Sequence, residues 1–512
     1  MQINVLEYFE KGSLVSHRQK IAVEEKNQSY SFEELERFSK NCAALLLART
    51  SLTNQPIAVF LPKNTQTIVS DLGILYTGNC YANLDLKSPP ERLKAILQNL
   101  GAPIIITSAA HVAALTDLGV EEKQIFLIEN AFCEGKIYDN ACLLASIDRV
   151  IDTDPLCIIH TSGSTGIPKG VALNHRSTID FMDWVFDRFV FDGSQVIGSL
   201  SPFYFDIYTL ELYLCLAKGA TLVIIPEQCA AFPATLLDFM STHAISFIFW
   251  VPTIMVNIAN QDLLSKWNLD ALKTVFFAGE VFPTKHLNYW RRHLPHAMFV
   301  NLYGPIEISV DCTYFVVDRE MSDDDKLPIG FPCRNTDILI LNDNNKMALV
   351  DESGELCIRG SSLALGYWNN PERTAKAFVQ NPLNTRYPEL IYRTGDLVYR
   401  NNRGEIMFLG RKDFQIKHLG YRIEMGEIEH AVLQVEGIRN CCVVYHHGRK
   451  EITLFYESDQ DLSSAAIRVR LGAFLPKYML PTVFRRMELL PRNPNGKIDR
   501  NNLAEMIATD KV

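Results

Sequence analysis

Short apolar runs alternate with amphipathic stretches along the first 150 residues, and this alternation restricts the possible folds more than any other feature. Gln55–Leu61 and Ala102–Thr107 are typical of buried strands, whereas Ser31–Arg49 carries apolar residues at helical spacing. Ser31 followed by Glu34 matches a capping box at the start of that helix. Repeated strand–helix–strand order predicts an α/β architecture with mostly parallel sheets.

The pattern changes after the middle of the chain. From Lys326 to about Gly410, short strands separated by Gly, Asn and Pro predict an antiparallel, barrel-like β portion. After Arg411 the chain restarts with a strand at Asp413–His418 and a helix from about Glu424. We therefore expect a large N-terminal body of α/β subdomains (1–412) with a small β portion, followed by a small α+β C-terminal domain (413–512).

Composition excludes several classes of protein. With 47% hydrophobic and 21% charged residues, the chain can bury a large core and is unlike disordered or collagen-like sequences. A net charge of -9, from 50 basic and 59 acidic residues, argues against a nucleic-acid-binding protein. We expect no nucleic-acid partner.

The most apolar window, Ala244–Ala259, contains Ser, Thr, Asn and a central Pro. It therefore predicts a buried strand followed by a turn, and not a membrane span. The N-terminus lacks the basic start and apolar stretch of a signal peptide. The twelve cysteines include no C-x-x-C pair, which predicts buried free thiols in a reducing compartment. We expect a cytoplasmic protein without a membrane span.

The segment Ile158–Val171, IIHTSGSTGIPKGV, carries the strongest chemical signal. An apolar strand leads into a loop of glycines and hydroxyl residues and then to a lysine. Glycines let backbone N–H groups turn inward, and hydroxyls and an ammonium add further donors, so the loop is suited to a polyphosphate. It does not match the Walker pattern. The candidate phosphate ligands are Thr161, Ser162, Gly163, Ser164, Thr165, Gly166 and Lys169.

This loop resembles the phosphate-loop signature of the adenylate-forming superfamily, which includes acyl-CoA synthetases, luciferases and the amino-acid adenylation domains of nonribosomal peptide synthesis. Further stretches follow in the family's order, so the resemblance covers the whole chain. They are Asn301–Glu307 (NLYGPIE), Gly354–Gly360 (GELCIRG), Tyr392–Leu397 (YRTGDL), Gly410–Glu424 (GRKDFQIKHLGYRIE) and Asn493–Arg500 (NPNGKIDR).

The resemblance implies that a carboxylate attacks the α-phosphate of ATP, with Mg²⁺ bound, and that a thiol then attacks the resulting acyl-adenylate. It implies that Tyr303 stacks on adenine, that Asp396 accepts the ribose hydroxyls, and that Arg411 reaches the ribose and phosphate side. Glu307 resembles the magnesium-associated carboxylate. The other nucleotide contacts that it implies are Gly279, Glu280, Asn301 and Gly304.

The C-terminal piece resembles the family's mobile lid. Lys497 matches the catalytic lysine, which stabilises charge between the attacking carboxylate and the α-phosphate. Asp413 resembles the hinge residue, and Gly420 resembles the glycine that lines the thiol's entry tunnel. One position departs from the family pattern: Ile306 replaces the usual Thr before the acid, so this residue cannot donate a hydrogen bond to phosphate.

Asp206 distinguishes between the subfamilies. It aligns with the aspartate that pairs with the substrate ammonium in amino-acid adenylating members, and a carboxylate inside so apolar a helix would be costly without a cation. The other pocket positions resemble those of freestanding prolyl ligases, notably at Leu210, Ala278, Leu302 and Val310, whereas Asp311 is the odd member of the set. These positions are Ile207, Leu210, Phe249, Phe276, Ala278, Leu302, Val310 and Asp311, with Lys497 also contacting the substrate.

Asp311 can either assist Asp206 in holding a secondary ammonium or pair with a protein cation. The sequence contains no condensation motif and no carrier-domain serine motif, so the expected partner is a separate carrier protein with a phosphopantetheine arm. We therefore expect an aminoacyl–carrier protein ligase, with L-proline favoured. The alternatives are D-alanine or another small amino acid, an acyl-CoA synthetase, and a non-catalytic nucleotide-binding protein.

Overall fold

The computed structural model describes residues 2–26, 28–163, 168–413, 415–492 and 498–509. The chain divides into two compact units. The first comprises Met1–Asp85, Leu100–Ile159 and Val171–Lys412. The second comprises Leu86–Asn99, His160–Gly170 and Asp413–Val512. Two short stretches of the predicted N-terminal body therefore belong to the second unit. The functional division into a binding body (1–412) and a lid (413–512) stays a prediction.

The largest sheet of the described residues has nine strands. Their order is Phe331–Pro332, Thr313–Val316, Met298–Tyr303, Thr274–Phe277, Phe247–Trp250, Val196–Ser199, Thr221–Ile224, Ile21–Glu25 and Gln28–Ser31. The six inner strands are parallel, and the outer ones pair antiparallel. All residues of Phe247–Trp250 and of Thr274–Phe277 are buried, as a parallel sheet covered on both faces requires.

A second sheet has seven strands within the described residues. Their order is Gly366–Tyr367, Lys169–Asn174, Pro155–Thr161, Cys80–Asn83, Pro56–Phe60, Ile105–Thr107 and Ile125–Leu127. The strands Pro56–Phe60 and Ile105–Thr107 confirm two sequence predictions. Helix Phe32–Leu47 confirms a third, and its capping box is present because the side chains and backbone N–H groups of Ser31 and Glu34 bond reciprocally.

The predicted antiparallel portion is also confirmed. Its described strands are Thr336–Leu341, Gly354–Gly360, Phe378–Gln380, Leu390–Arg400 and Ile406–Arg411. The long strand Leu390–Arg400 pairs with Gly354–Gly360 on one side and with Phe378–Gln380 and Ile406–Arg411 on the other. Thr336–Leu341 pairs with the other edge of Gly354–Gly360. The pairing of the long strand with Ile406–Arg411 sets Asp396 directly opposite Arg411.

The second unit has its own core. A hairpin joins Gln415–His418 to Tyr421–Glu424, and a further sheet has the order Ile438–His446, Glu451–Ser458 and Val483–Arg486. The helix predicted from about Glu424 spans Met425–Leu433. The two other helices of 413–512 among the described residues are Ser464–Leu471 and Arg500–Thr509.

Helices alternate with the strands along residues 2–412. The α-helices of residues 2–412 not yet named are Leu6–Tyr8, Leu14–Ser16, Thr65–Tyr76, Pro90–Leu100, Val112–Asp117, Asn140–Ile147, His175–Arg188, Ile207–Lys218, Pro233–Thr242, Pro252–Asn260, Thr284–His293 and Pro371–Ala377. A π-helix spans Phe9–Ser13. Short 3₁₀ turns lie at Ala109–His111, Glu122–Gln124, Ile128–Ala131, Glu227–Ala231, Leu264–Lys266, Ile306–Ile308 and Lys477–Met479.

One local prediction is half wrong. The window Ala244–Ala259 does begin with a buried strand, Phe247–Trp250, but the predicted turn is the helix Pro252–Asn260. Pro252 occupies the first helical position, where its missing N–H needs no partner, so this proline starts a helix. No helix in the described ranges is long and apolar enough to cross a membrane. All twelve cysteines are free thiols, ten of them buried, as predicted.

Candidate functional site

Four predicted pocket residues share one face of three neighbouring parallel strands. Phe249 lies opposite Phe276, and Phe276 lies opposite Val300. Because side chains alternate along a strand, Ala278 and Leu302 point to the same face as these residues. The rings of Phe249 and Phe276 meet edge to face with their centroids 6.0 Å apart. This wall lies at the carboxyl ends of the strands, where open α/β sheets bind ligands.

The other apolar pocket residues, Ile207, Leu210 and Val310, belong to the same buried cluster as this wall. None of the seven predicted apolar side chains is more than 7% exposed. The structure therefore brings together a set of residues that the sequence spreads from 207 to 310.

Asp206 is half-buried at the N-cap of helix Ile207–Lys218. The premise that it lies inside the helix is wrong, because the helix begins one residue later. The Asp206 side chain accepts no capping hydrogen bond from the backbone N–H groups of the first turn, so its carboxylate does not cap this helix. The Asp206 carbonyl accepts hydrogen bonds from the Thr209 N–H at 2.9 Å and from the Thr209 hydroxyl at 2.6 Å, which fixes the first turn.

A strained turn holds Val310 and Asp311, each 3% exposed. Ser309 and Val310 have φ angles of 55° and 61°, a left-handed conformation that is unusual for a β-branched residue. A Cβ on Gly304 would lie 2.4 Å from the Asp311 Cα and 2.6 Å from the Val310 carbonyl oxygen. Only glycine permits this approach of two backbone segments. Strain of this kind concentrates at functional sites.

Tyr303, Asp396 and Arg411 form one connected network. The buried Tyr303 hydroxyl donates to one Asp396 oxygen, and the Arg411 guanidinium donates to the other at 2.6 Å. Arg411 also donates to the Thr394 carbonyl at 3.1 Å. Burial, together with the neighbouring Asp396 carboxylate, raises the pKa of Tyr303 well above its ordinary value, so its hydroxyl keeps its proton and remains a donor. The network holds an oriented carboxylate beside an aromatic ring.

Three of the other predicted nucleotide contacts, Asn301, Glu280 and Gly279, can be described in the structure. The Asn301 amide donates to the Pro328 carbonyl at 2.8 Å. One carboxylate oxygen of Glu280 accepts from the hydroxyl and, at 3.0 Å, from the N–H of Thr253 at the start of a helix. Gly279 has a φ of 91°, and the nearest atom to an added Cβ is 3.6 Å away. Conformation, and not crowding, favours glycine there.

Glu307 is wholly buried. The Tyr367 hydroxyl donates to its carboxylate at 2.8 Å. No group of three His, Cys, Asp or Glu side chains in the described ranges could hold a metal ion by itself. Magnesium nevertheless needs only one or two protein carboxylates when phosphate oxygens and water complete its shell. The neighbouring Ile306 is 8% exposed and apolar, so it donates nothing to a phosphate.

Only part of the predicted phosphate loop can be described. Ser164, Thr165 and Gly166 lie outside the described residues. Lys169 is 6% exposed and begins the strand Lys169–Asn174. The Thr161 hydroxyl is buried without a hydrogen-bond partner among the described residues. Because buried hydroxyls usually have a hydrogen-bond partner, this hydroxyl fits a loop in which it donates to an oxygen of a bound ligand.

The backbone of this loop already contacts an anionic group within the second unit. The Gly163 N–H donates to the Glu427 carboxylate at 2.9 Å, and that carboxylate also pairs with Arg92. The Ser162 hydroxyl donates to the Arg422 carbonyl at 2.5 Å. Burial raises the pKa of Glu427, and the Arg92 guanidinium and the Gly163 N–H oppose this rise by stabilising the ionised carboxylate. The loop N–H is therefore oriented to bind an oxygen anion.

The remaining predicted residues belong to the C-terminal piece. Lys497 lies outside the described residues. Asp413 is exposed, and its side chain accepts from the Gln415 N–H at 3.2 Å. Gly420 and Leu419 have φ angles of 82° and 53° and form the two-residue turn of a hairpin, which requires positive φ at both positions. The conformation of Gly420 thus has a local structural cause.

Sequence reasoning missed two residues that bond to predicted site residues, Tyr367 within the first unit and Glu427 within the second. Glu427 lies three residues beyond the quoted motif Gly410–Glu424, and that proximity was a signal that could have identified it. Tyr367 lies in a short strand outside every quoted motif. Its contact with Glu307 spans 60 residues of sequence, and no local pattern indicates it.

Comparison with known proteins identifies the family to which the chain is similar. The model of the family described as "AMP-binding enzyme" matches residues 12–368. Zwittermicin A synthase ZmaJ from Bacillus cereus is 30% identical over 499 residues, covering 96% of this chain and 93% of that protein. L-proline--[L-prolyl-carrier protein] ligase from Pseudomonas fluorescens is 30% identical over 505 residues, covering 97% of this chain and 98% of that protein.

A solved structure shares the fold. The adenylation domain AlmE from Vibrio cholerae, crystallised with glycyl-adenosine-5'-phosphate, is similar with a TM-score of 0.83 and 21% sequence identity. The match covers 100% of this chain and 98% of that chain. At this identity the likeness establishes the mixed α/β architecture.

Proposed function

The chain belongs to the AMP-binding enzyme family and is an amino-acid adenylating ligase, and from this membership we propose that it activates L-proline and loads it onto a separate carrier protein. One observation carries the proposal: a wall of buried apolar side chains begins directly after an aspartate at a helix N-terminus. The aspartate suits the ammonium of an amino acid, and the wall suits a side chain made of methylene groups.

A second carboxyl group among the predicted pocket residues, that of Asp311, supports proline as the substrate. The ammonium of proline is secondary and carries two protons, so two acceptors can bind it. Asp206 and the buried Asp311 are the proposed acceptors. The similarity to a protein named as an L-prolyl-carrier protein ligase, over 97% of this chain, supports the same substrate and the same kind of acceptor.

In the proposed first half-reaction, an oxygen of the proline carboxylate attacks the α-phosphorus of ATP, and pyrophosphate leaves. In the second, a phosphopantetheine thiol attacks the acyl carbon, its proton is lost, and AMP leaves. Positioning and charge stabilisation supply most of the catalysis in such transfers.

Each group of the site has a proposed part in these steps. Tyr303 stacks on adenine, and Asp396 accepts the ribose hydroxyls. Arg411 holds Asp396 in place through their 2.6 Å ion pair, so the carboxylate is oriented before ATP binds. The loop donors around Thr161 bind phosphate oxygens. Lys497 stabilises the negative charge that develops between the carboxylate and the α-phosphate.

Magnesium fits the residues present, because Glu307 supplies one buried carboxylate oxygen for an ion otherwise bound by phosphate and water. When bound, the ion neutralises charge on the phosphate oxygens. Tyr367, through its 2.8 Å hydrogen bond, fixes the orientation of that carboxylate.

We further propose that 413–512 acts as a lid that moves between the two half-reactions. Asp413 is the proposed hinge, because it is exposed and is the residue at which the chain passes from the first unit into 413–512. Gly420 is the proposed lining of the thiol tunnel. A cytoplasmic location is supported by the free thiols.

The test is ATP–pyrophosphate exchange across a panel of amino acids with wild type, Asp206→Asn and Asp270→Asn. Asp270 is exposed and serves as the matched control. We expect a signal with L-proline. We expect Asp206→Asn to raise the KM for proline at least ~30-fold, about 2 kcal/mol, because the substrate ammonium loses its charged partner. Asp270→Asn should match wild type.

Other outcomes separate the alternatives. A D-alanine signal would keep the mechanism and overturn the proline assignment. Thioester formation with CoA and an aryl or fatty acid, without any amino-acid signal, would indicate an acyl-CoA synthetase. It would also refute the proposal that Asp206 binds a substrate ammonium. An Asp206→Asn enzyme with unchanged KM for proline would refute the ammonium contact. Loading of a purified holo carrier protein tests the second half-reaction.

A further inference from the structure

The segment between strand Val196–Ser199 and helix Ile207–Lys218 leads directly to the proposed ammonium ligand. It ends at Asp206, and the first turn of the helix adds Ile207 and Leu210 to the pocket wall. A displacement of this segment would therefore move the charged and the apolar contacts of the substrate together.

A buried carboxyl group fixes the segment. Asp71, on helix Thr65–Tyr76, is wholly buried and touches neither the predicted nucleotide ligands nor the pocket wall through any hydrogen bond among the described residues. One of its oxygens accepts from the Tyr208 hydroxyl at 2.8 Å and from the Asn83 amide at 3.0 Å. The same Asn83 amide donates to the Phe203 carbonyl at 3.1 Å. Asp71 is thereby connected to both sides of Asp206.

Aromatic packing reinforces this connection. The rings of Phe203 and Tyr208 stack with centroids 4.1 Å apart and an interplanar angle of 23°. Since these two residues lie three before and two after Asp206, the backbone around Asp206 forms a closed loop tied at its base. The base is the hydrogen-bonded group of Asp71, Asn83 and Tyr208.

The other end of the segment is tied in the same way. The Ser199 hydroxyl donates to the buried Glu211 carboxylate at 2.6 Å, and Lys63 donates to the Ser199 carbonyl at 2.7 Å. Glu211 lies on the helix that begins directly after Asp206. The strand end and the helix are therefore joined to each other across the segment, and its length leaves it little freedom.

Stability alone does not account for Asp71. Its second oxygen has no hydrogen-bond partner among the described residues, and a half-satisfied buried carboxyl stabilises a core less than an apolar residue of the same volume. A buried polar group that is only partly hydrogen-bonded is expected at positions where function requires it.

We propose that Asp71 is a positioning residue that, through Tyr208 and Asn83, sets the place of Asp206 and so determines affinity for the amino acid. The proposal rests on the proposed function, since it takes Asp206 as the ammonium ligand. Asp71 does not itself contact the substrate. It controls amino-acid binding and leaves nucleotide binding, which uses the separate Tyr303–Asp396–Arg411 network, unaffected.

The experiment compares four variants of the full-length chain. Asp71→Ala removes the acceptor, Asp71→Asn restores a neutral acceptor of the same shape, and Tyr208→Phe removes one donor. Tyr213→Phe is the matched control, because it deletes an equally buried hydroxyl on the same helix that does not bond to Asp71. The readouts are the KM values for proline and for ATP in exchange, and the amide hydrogen exchange of residues 200–210.

We expect Asp71→Ala to raise the KM for proline about tenfold or more, and Tyr208→Phe to raise it about threefold, while the KM for ATP changes less than about twofold. Asp71→Asn should recover most of the loss, and Tyr213→Phe should behave as wild type. Amides of 200–210 should exchange at least about tenfold faster in Asp71→Ala and Tyr208→Phe, and at the wild-type rate in Asp71→Asn and Tyr213→Phe.

Equal changes in both KM values, or unchanged exchange of 200–210 in Tyr208→Phe and Asp71→Ala, would overturn the proposal. Tyr208→Phe decides the matter if Asp71→Ala does not fold. If wild type activates no amino acid, the proposed function fails. The hydrogen-exchange comparison then still decides whether Asp71 fixes the segment, so the two failures are distinguishable.

Discussion

Asp71→Asn should remove a pH dependence from the stability of the protein. Burial raises the pKa of Asp71 from an ordinary 3.8 to about 8, in spite of hydrogen bonds from Asn83 and Tyr208 that lower it. Between these two values the folded protein holds one proton that the unfolded chain has lost. Stability therefore falls as pH rises through this window, and an asparagine, which mimics the protonated acid, does not show the loss.

The magnitude follows from one proton. One pKa unit corresponds to about 1.36 kcal/mol, so between pH 5 and pH 7 the variant should gain about 2.7 kcal/mol of stability relative to wild type. Other buried titratable groups surround Asp71, but burial raises the pKa of each, so they stay neutral across this range. They are Cys42, Tyr81, Cys157, Tyr208 and Tyr213. Lys63 and Glu211 titrate in both proteins and cancel in the comparison.

The assay is thermal unfolding of wild type and variant in matched buffers from pH 5 to pH 8.5. In a protein of this size about 1 kcal/mol moves the Tm by roughly 1–2 °C, so the Tm difference should widen by roughly 3–5 °C from pH 5 to pH 7 and level off above pH 8. Tyr213→Phe should run parallel to wild type. Parallel curves for Asp71→Asn would refute the assignment of a protonated, buried Asp71.

Two further predictions concern the nucleotide side and the strained turn. Gly304→Ala should lower kcat/KM at least ~100-fold, because its Cβ would lie 2.4 Å from the Asp311 Cα. Gly135→Ala is the control and should match wild type in the exchange assay, because an added Cβ at that position meets no atom within 4 Å. Tyr303→Phe should raise the KM for ATP about threefold to tenfold with an unchanged KM for proline, because Asp396 loses one donor; a change in the KM for proline alone would contradict this.

Local signals in the sequence predicted the framework well. The period of apolar residues indicated strands and helices that the structure confirms, such as Pro56–Phe60 and Phe32–Leu47, and the Ser31 capping box specified where the helix begins. These features depend on residues that are close to each other in the sequence, so a short window contains all the residues that determine them.

The errors arose where a short window was ambiguous. The proline in Ala244–Ala259 indicated a turn, although a proline at the first helical position is equally compatible with a helix. Asp206 was expected inside a helix, and it lies at the N-cap, because the apolar period alone does not define the first helical residue.

The sequence by itself determined the family, the order of the motifs and the residue types available for chemistry. Only the tertiary structure decided which of them meet: Tyr303 reaches Asp396 across 93 residues of sequence, and Tyr208 reaches Asp71 across 137. Contacts of this range depend on which strands become neighbours and on how far water is excluded between them. Neither property is encoded in any local stretch of sequence. The segment that carries Asp206 could therefore be recognised from the sequence, whereas the residues that hold this segment in place are known only from the structure.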